Sequence, residues 1–336
     1  MTGFDIESFE RIYRGRNSKV YRLSCSDNNQ YVLKSYFRHP SDSRDRLGVE
    51  FSSLQFIWEN GIRCIPKPII YEKEQGYAIY EYIDGAKIPS EEITESDINS
   101  AAEFLGRLKG LKTCEGSRKF SVASEACFSI NGIVANVQHR MERLLVPQSN
   151  ELQNKELNNF LLDQFIPLFD DIKNWCNSKL EKIGLSYDVA IADDEKTLSP
   201  SDFGFHNALR RKDGRIVFLD FEYFGWDDPA KMISDFLLHP AMDLGEDLKL
   251  HFVESILRCF EENPNLGRRV ETVYPLFGLK WCLILLNEFL PDQMLRRGFA
   301  MGTNSQVDLL GKQLSKAKMM LNKISNEYKE KIWENY

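Results

Sequence analysis

Residues 198–222 read LSPSDFGFHNALRRKDGRIVFLDFE, and Asp202, Asn207 and Asp220 are the side chains there whose types and spacing suit chemistry. Asp202 and Asn207 stand five apart in a segment that Gly204 and small polar residues mark as a loop. Asp213-Gly214 is a turn signal, and the apolar run at 215–219 predicts a short buried strand that ends at Asp220. A hairpin of this kind returns the Asp220 carboxylate to the loop carrying Asp202 and Asn207. Three oxygen-bearing side chains then converge, and oxygen donors are what magnesium takes. Such a set suits phosphoryl transfer, whose transition state needs alignment and charge neutralisation more than covalent help. Asp202 would orient an attacking hydroxyl and accept its proton, while Asn207 and Asp220 would hold the metal. Taken alone, the same Asp and Asn also read as turn formers that bond their own backbone.

The wider stretch resembles the catalytic and metal-binding loops of the aminoglycoside phosphotransferase and choline kinase superfamily, which shares the protein-kinase-like fold. Its pattern is H-G-D-x4-N, then I-D-F/W-E after a hairpin, then G-D-P and an Asp on the next helix. This chain has Pro200-Ser201-Asp202, Asn207, Leu219-Asp220-Phe221-Glu222, Asp227-Asp228-Pro229 and Asp235. Pro200 and Ser201 stand where the pattern has His and Gly, a departure that bears on loop rigidity more than on chemistry. The resemblance implies an α+β, bilobal fold: a small amino-terminal antiparallel β-sheet lobe with one helix over residues 1–84, and a larger, mainly helical catalytic lobe over 86–336. The hinge would fall at about 79–85. It also implies ATP- and magnesium-dependent transfer of the γ-phosphate to a hydroxyl of a sugar, amino sugar or amino alcohol. Asp235 would bond backbone amides of the catalytic loop and fix its shape. The alternative is a degenerate kinase-like protein that binds a nucleotide or a partner without transferring phosphate.

The elements that must position this loop are legible in order. Residues 9–23 read as strand, turn, strand, with Gly15, Asn17 and Ser18 at the bend, and 31–37 alternate as a third strand carrying Lys34. A helix follows over 43–59 with Glu50 in it, and 77–83 is a strand-forming run that ends at the turn dipeptide Asp84-Gly85. The resemblance assigns Gly15, Ser18 and Lys34 to the ATP phosphates, with Glu50 holding Lys34. The backbone near Glu81 to Ile83 would meet the adenine edge. Read locally, Gly15 and Ser18 form an ordinary hairpin turn, and Lys34 and Glu50 are solvated charges.

The remainder reads as helical: 91–111, 156–183 with a break near Ile166-Pro167, 231–238, 247–261, 274–289 and an amphipathic tail over 305–333. With 336 residues, 43% of them hydrophobic, the chain can bury a sizeable core. A net charge of −7 argues against a dedicated nucleic-acid surface. Seven scattered cysteines with no C-x-x-C pair suggest reduced thiols and a cytoplasmic protein. The most apolar stretch, 279–290, is too short to span a bilayer. The expected partners are therefore ATP and a small hydroxyl acceptor, without nucleic acid or membrane. Tyr223, Trp226, Asp227, Trp281 and Glu288 are candidate walls for a cationic acceptor.

Overall fold

Alternation with a period of two puts Lys34 and Tyr36 on one face of the strand Gln30–Tyr36, and both are buried against a helix. The computed structural model describes residues 5–14, 18–38, 44–145, 152–182, 186–290 and 306–329. Strands β1 (Ile6–Arg14), β2 (Ser18–Cys25), β3 (Gln30–Tyr36), β4 (Pro68–Glu72) and β5 (Tyr77–Glu81) form one antiparallel sheet in the order β1-β2-β3-β5-β4. Strand β4 was not anticipated. Helix α1 (Arg46–Glu59) starts where the Asp45 carboxylate accepts the Gly48 N–H at 2.9 Å, three residues later than the expected start. Leu47, Glu50, Leu54 and Ile57 fall on its buried face, so Glu50 is not a solvated helix charge.

After β5 the chain leaves this sheet. Strands β6 (Gly85–Lys87), β7 (Thr197–Ser199), β8 (Ala208–Arg211), β9 (Ile216–Phe218) and β10 (Gly225–Asp227) build the platform beneath the loop of interest. They pair as a three-stranded sheet β6-β8-β9 and a two-stranded ribbon β10-β7. Gly214 supplies the left-handed φ of +84° at the expected β8–β9 turn. At Gly225 the main chain of 121–123 passes so closely that a Cβ would lie 2.4 Å from the Ser121 carbonyl oxygen. That approach lets Trp226 N–H donate to Ser121 O at 3.0 Å and Ala123 N–H to Trp226 O at 2.8 Å.

The other described helices are α2 (Glu95–Gly110), α3 (Ile130–Leu145), α4 (Leu152–Phe160), α5 (Ile166–Lys182), α6 (Pro229–Leu238), α7 (Glu246–Cys259), α8 (Leu266–Leu285) and α9 (Gln306–Glu327). An antiparallel sheet with one helix, joined to a larger helical part, is the expected fold class. Helix α3 was not anticipated, and two helical readings change by more than a few residues. The break near Pro167 is a π-helical segment, Leu161–Phe165, so the chain stays helical into α5 instead of breaking. Helix α8 begins eight residues before the expected 274 and runs through Pro275, where Val270, Val273, Tyr274, Leu276 and Phe277 are all buried. Packing there overrides the local cost of a proline. On α9, Leu310, Leu314, Ala317, Leu321 and Ile324 form one buried stripe against α8, and Gly278 gives Ile324 room to approach.

Beneath the β8–β9 hairpin lies an aromatic core centred on Phe104 of α2. Its ring meets Phe203 at 5.5 Å, Phe218 at 4.8 Å and Phe221 at 6.1 Å between centroids. Phe203 follows Asp202 and Phe221 follows Asp220, so the apolar neighbour of each carboxylate anchors it to the same helix. Truncation by Phe104→Ala should cost about 3–5 kcal/mol of stability, measurable by denaturant unfolding. An unchanged unfolding midpoint would show that this core does not brace the hairpin.

Candidate active site

Lys34 is buried, and its ammonium donates to Glu50 Oε2 at 2.6 Å and to Asp220 Oδ1 at 2.8 Å. Burial works to lower its pKa, but the carboxylates of Asp220, Glu50 and Glu222 outweigh that and hold it well above the ordinary lysine value. Glu50 is saturated. Its Oε2 also takes the Tyr36 hydroxyl at 2.8 Å, Oε1 takes the Phe221 N–H at 3.4 Å, and Tyr36 in turn meets the Tyr80 hydroxyl at 2.7 Å. Glu222 is buried near Arg46, with Nε and Oε1 3.5 Å apart. Burial, then the neighbouring Asp220 charge, pushes its carboxyl up to about 7.

The predicted loop residues are brought together through Asn207. Its Nδ2 donates to the Asp202 main-chain oxygen at 3.0 Å, and its own carbonyl accepts the Leu219 N–H at 2.8 Å, one residue before Asp220. Asp220 adopts φ +66°, a conformation L-residues rarely hold. Lys34 engages only its Oδ1. Among the described residues, neither Asp220 Oδ2 nor Asn207 Oδ1 has a hydrogen-bond partner, and these are two hard oxygens of the kind magnesium accepts. The donor set therefore fits the metal that the resemblance implies.

Asp202 is flanked by two histidines that the sequence reading did not single out. His206 Nε2 lies 3.1 Å and His239 Nε2 3.5 Å from its Oδ1. Partial burial works to raise the Asp202 pKa, but the His206 hydrogen bond and the charges of both rings outweigh it and bring the carboxyl down to about 2. His206, four residues beyond Asp202 in the same loop, was recoverable from spacing. His239 lies beyond α6 and has no local signal.

Of the other predicted residues, Asp235 meets partners that were not expected. Asp235 does not bond loop amides: it accepts Lys231 at 3.1 Å, Lys280 at 3.2 Å and the Trp281 indole N–H at 2.8 Å. It reaches the loop through Lys231, which also contacts Ser201 Oγ at 3.1 Å and Asp227 at 2.7 Å. Burial opposes ionisation of Asp235, but Lys280 and Lys231 prevail and hold its pKa below the usual value. The Glu81 N–H is committed to Lys67 O at 2.9 Å and its side chain to Arg211 at 3.0 Å, whereas Ile83 lies between strands. Ser18 opens β2, buried and paired with Tyr36, whereas Gly15 lies outside the described residues. Of the candidate acceptor walls, Asp227 and Glu288 are buried, Trp226 donates to Ser117 O, and Tyr223 stacks near Arg44 and Arg46. Trp281 touches a group beside Asp202: its ring meets His239 edge-on at 4.6 Å.

The 121–125 segment braces the loop from outside. Ser201, at φ +68°, donates its hydroxyl to Ser124 O at 2.8 Å. The adjacent Glu125 pairs with Arg140 at 2.6 Å. Burial would raise the Glu125 pKa, but Arg140 overrides it and draws it from 4.5 to about 2. A carboxyl depressed on folding contributes stability above its unfolded pKa, and that contribution disappears as pH falls through the folded value. The melting-temperature difference between the parent and Glu125→Gln should therefore be full above pH 4.5 and shrink toward about pH 2. A difference that stays constant across that window would exclude the pairing as its source.

The model of the phosphotransferase enzyme family matches residues 8–264. No curated protein matches the chain. Among solved structures, a spectinomycin phosphotransferase in complex with ADP and spectinomycin is similar, with TM-score 0.66, 13% identity and coverage of 96% of this chain and 94% of that one. An ethanolamine kinase of Plasmodium vivax follows at TM-score 0.62 and 17% identity, covering 94% and 83%. A choline kinase of Cryptosporidium parvum gives TM-score 0.60 and 12% identity, covering 95% and 90%.

Proposed function

The chain belongs to the phosphotransferase enzyme family, and we propose that this site moves the γ-phosphate of ATP, with magnesium, to a hydroxyl of a sugar, amino sugar or amino alcohol. That it is a small-molecule kinase follows from the family; the nucleotide, the metal and the acceptor class are the proposal. One observation carries it: Lys34 of the five-stranded sheet reaches Asp220 at the end of β9, and Asn207 ties that end to Asp202. The similar spectinomycin phosphotransferase holds ADP, which supports nucleotide binding here.

Each residue then has a distinct task. The main chain near Ile83, between β5 and β6, would meet the base. Lys34, kept cationic by Glu50 and Asp220, would neutralise phosphate oxygens. Asn207 Oδ1 and Asp220 Oδ2 would hold magnesium, which supplies charge neutralisation across the phosphates. Asp202 would accept a hydrogen bond from the attacking hydroxyl and align it. Its carboxyl, drawn down to about 2, is ionised at neutral pH and can accept that hydrogen bond. Among the described residues no helix is long and apolar enough to cross a membrane.

Screening a panel of sugars, amino sugars and amino alcohols for magnesium-dependent ATP consumption tests this directly. With any acceptor found, Asp202→Asn should lower kcat by about 10²–10⁴-fold. Nucleotide binding, followed by titration with a fluorescent ADP analogue, should barely change. Near-parental turnover in that variant would remove Asp202 from its assigned role. Asp220→Ala should abolish the magnesium dependence of nucleotide affinity, and retention of that dependence would displace Asp220 as a ligand.

A further inference from the structure

The two imidazoles beside Asp202 come from different elements and converge on a single oxygen. His206 belongs to the loop itself, while His239 follows α6. Their rings are parallel, 2° apart in orientation with centroids at 3.7 Å, and both Nε2 atoms approach Asp202 Oδ1. The far face of the stack is closed by Trp281 of α8, whose indole N–H is fixed on Asp235.

An aspartate and two imidazoles within 4.8 Å of one another also satisfy the spacing of a metal site. The hydrogen bonds decide between the two possibilities. His239 Nδ1 accepts the Ala241 N–H at 3.2 Å. In the neutral ring the proton must then sit on Nε2, which makes that nitrogen a donor and not a metal ligand. His206 Nδ1 is buried with no partner among the described residues. A bare ring nitrogen tolerates this better than a buried N–H would, so the proton of His206 also belongs on Nε2.

We propose that His206 and His239 are positioning residues which clamp Asp202 at Oδ1, His206 through an Nε2–H hydrogen bond at 3.1 Å and His239 through a longer Nε2 approach at 3.5 Å, fixing the carboxylate's rotation and leaving Oδ2 for the acceptor hydroxyl. This rests on the reading of Asp202 as the group that aligns the acceptor. The clamp takes its orientation from outside the loop: Ala241 sets the tautomer of His239, Trp281 sets its plane, and His206 stacks against it. The carboxylate is thereby coupled to α6 and α8 without any direct bond to either helix. A carboxylate with no donors on it would rotate about both side-chain bonds and sample several orientations, and a displacement of about 1 Å at a reacting group can cost about 100-fold in rate.

The tautomers can be read on the unsubstituted protein by long-range ¹H–¹⁵N correlation with ¹⁵N-labelled histidine. The five histidines are assigned by single His→Gln replacements. Both His206 and His239 should show a protonated Nε2 and a bare Nδ1, and the Nε2 signals should move in Asp202→Asn. A protonated Nδ1 on neutral His239 overturns the clamp. For activity, His239→Phe keeps a ring against Trp281 but removes the donor, whereas His239→Gln restores an N–H. The Phe variant should lose about 10- to 100-fold in kcat with the KM for ATP unchanged, and the Gln variant should recover part of it. Parental kcat in both His206→Phe and His239→Phe overturns the proposal. Should the parent consume no ATP on any acceptor, the phosphotransfer reading fails, and the tautomer spectrum still decides the clamp.

Discussion

A single ammonium group sets the relation between the sheet and the hairpin. Lys34 is buried on β3, and its two strong partners come from α1 and from Asp220, two residues after β9. Withdrawing a cation from water costs several kcal/mol, a cost recovered only when carboxylates stand close and their remaining oxygens are satisfied. The structure meets that condition on the Glu50 side, where Tyr36, Phe221 and Lys34 share the carboxylate. It leaves the condition half met on the Asp220 side, where one oxygen stays open. Such an arrangement is a poor device for stability alone. It is a good one for presenting a fixed positive charge beside an incompletely satisfied carboxylate, which a nucleotide–metal pair would complete.

The hairpin holds its end of this bridge by alternation. Asp202 is followed by Phe203 and Asp220 by Phe221, and both rings pack on Phe104 while the carboxylates turn the other way. Positive φ values at Ser201 and Asp220 accompany that turn. Conformations of this sort cost about 1–3 kcal/mol each and persist only where the surroundings over-determine them. The aromatic core and the backbone bond between Asn207 and Leu219 supply that constraint, so the strain sits beside the two carboxylates whose direction matters.

Sequence patterns revealed what is local. The Asp213-Gly214 turn, the Lys34 strand, the Glu50 helix and the loop spacing are each set by short-range periodicity or turn chemistry, and each appears in place. What escaped was set by encounters between distant segments. The resemblance assigned Asp235 to loop amides, yet its partners Lys280 and Trp281 lie 45 and 46 residues on. His239 meets Asp202 only because α6 packs on α8 and carries the next segment back over the loop. Glu81 was read for its backbone, but its side chain is claimed by Arg211, which β8 brings alongside β6. The start of α8 was misplaced because the buried packing that carries the helix through Pro275 is invisible in a one-dimensional pattern.

Pro200 and Ser201, where related loops have His and Gly, show how a local departure can be offset from a distance. Glycine adopts a left-handed φ freely, whereas an ordinary residue incurs about 1–2 kcal/mol there. Ser201 holds φ +68° all the same, and its hydroxyl is fixed between Ser124 O and the Lys231 ammonium. Lys231 is fully buried; burial would discharge it, but Asp227 and Asp235 raise its pKa and keep it cationic. A hydrogen bond to a charged group contributes about 1.5–3 kcal/mol, enough to offset the strained backbone. The same lysine links Ser201 to Asp235, and Asp235 to Trp281 and the histidine stack. Loop shape and carboxylate direction are therefore set by one buried network, and the serine is its point of attachment to the loop.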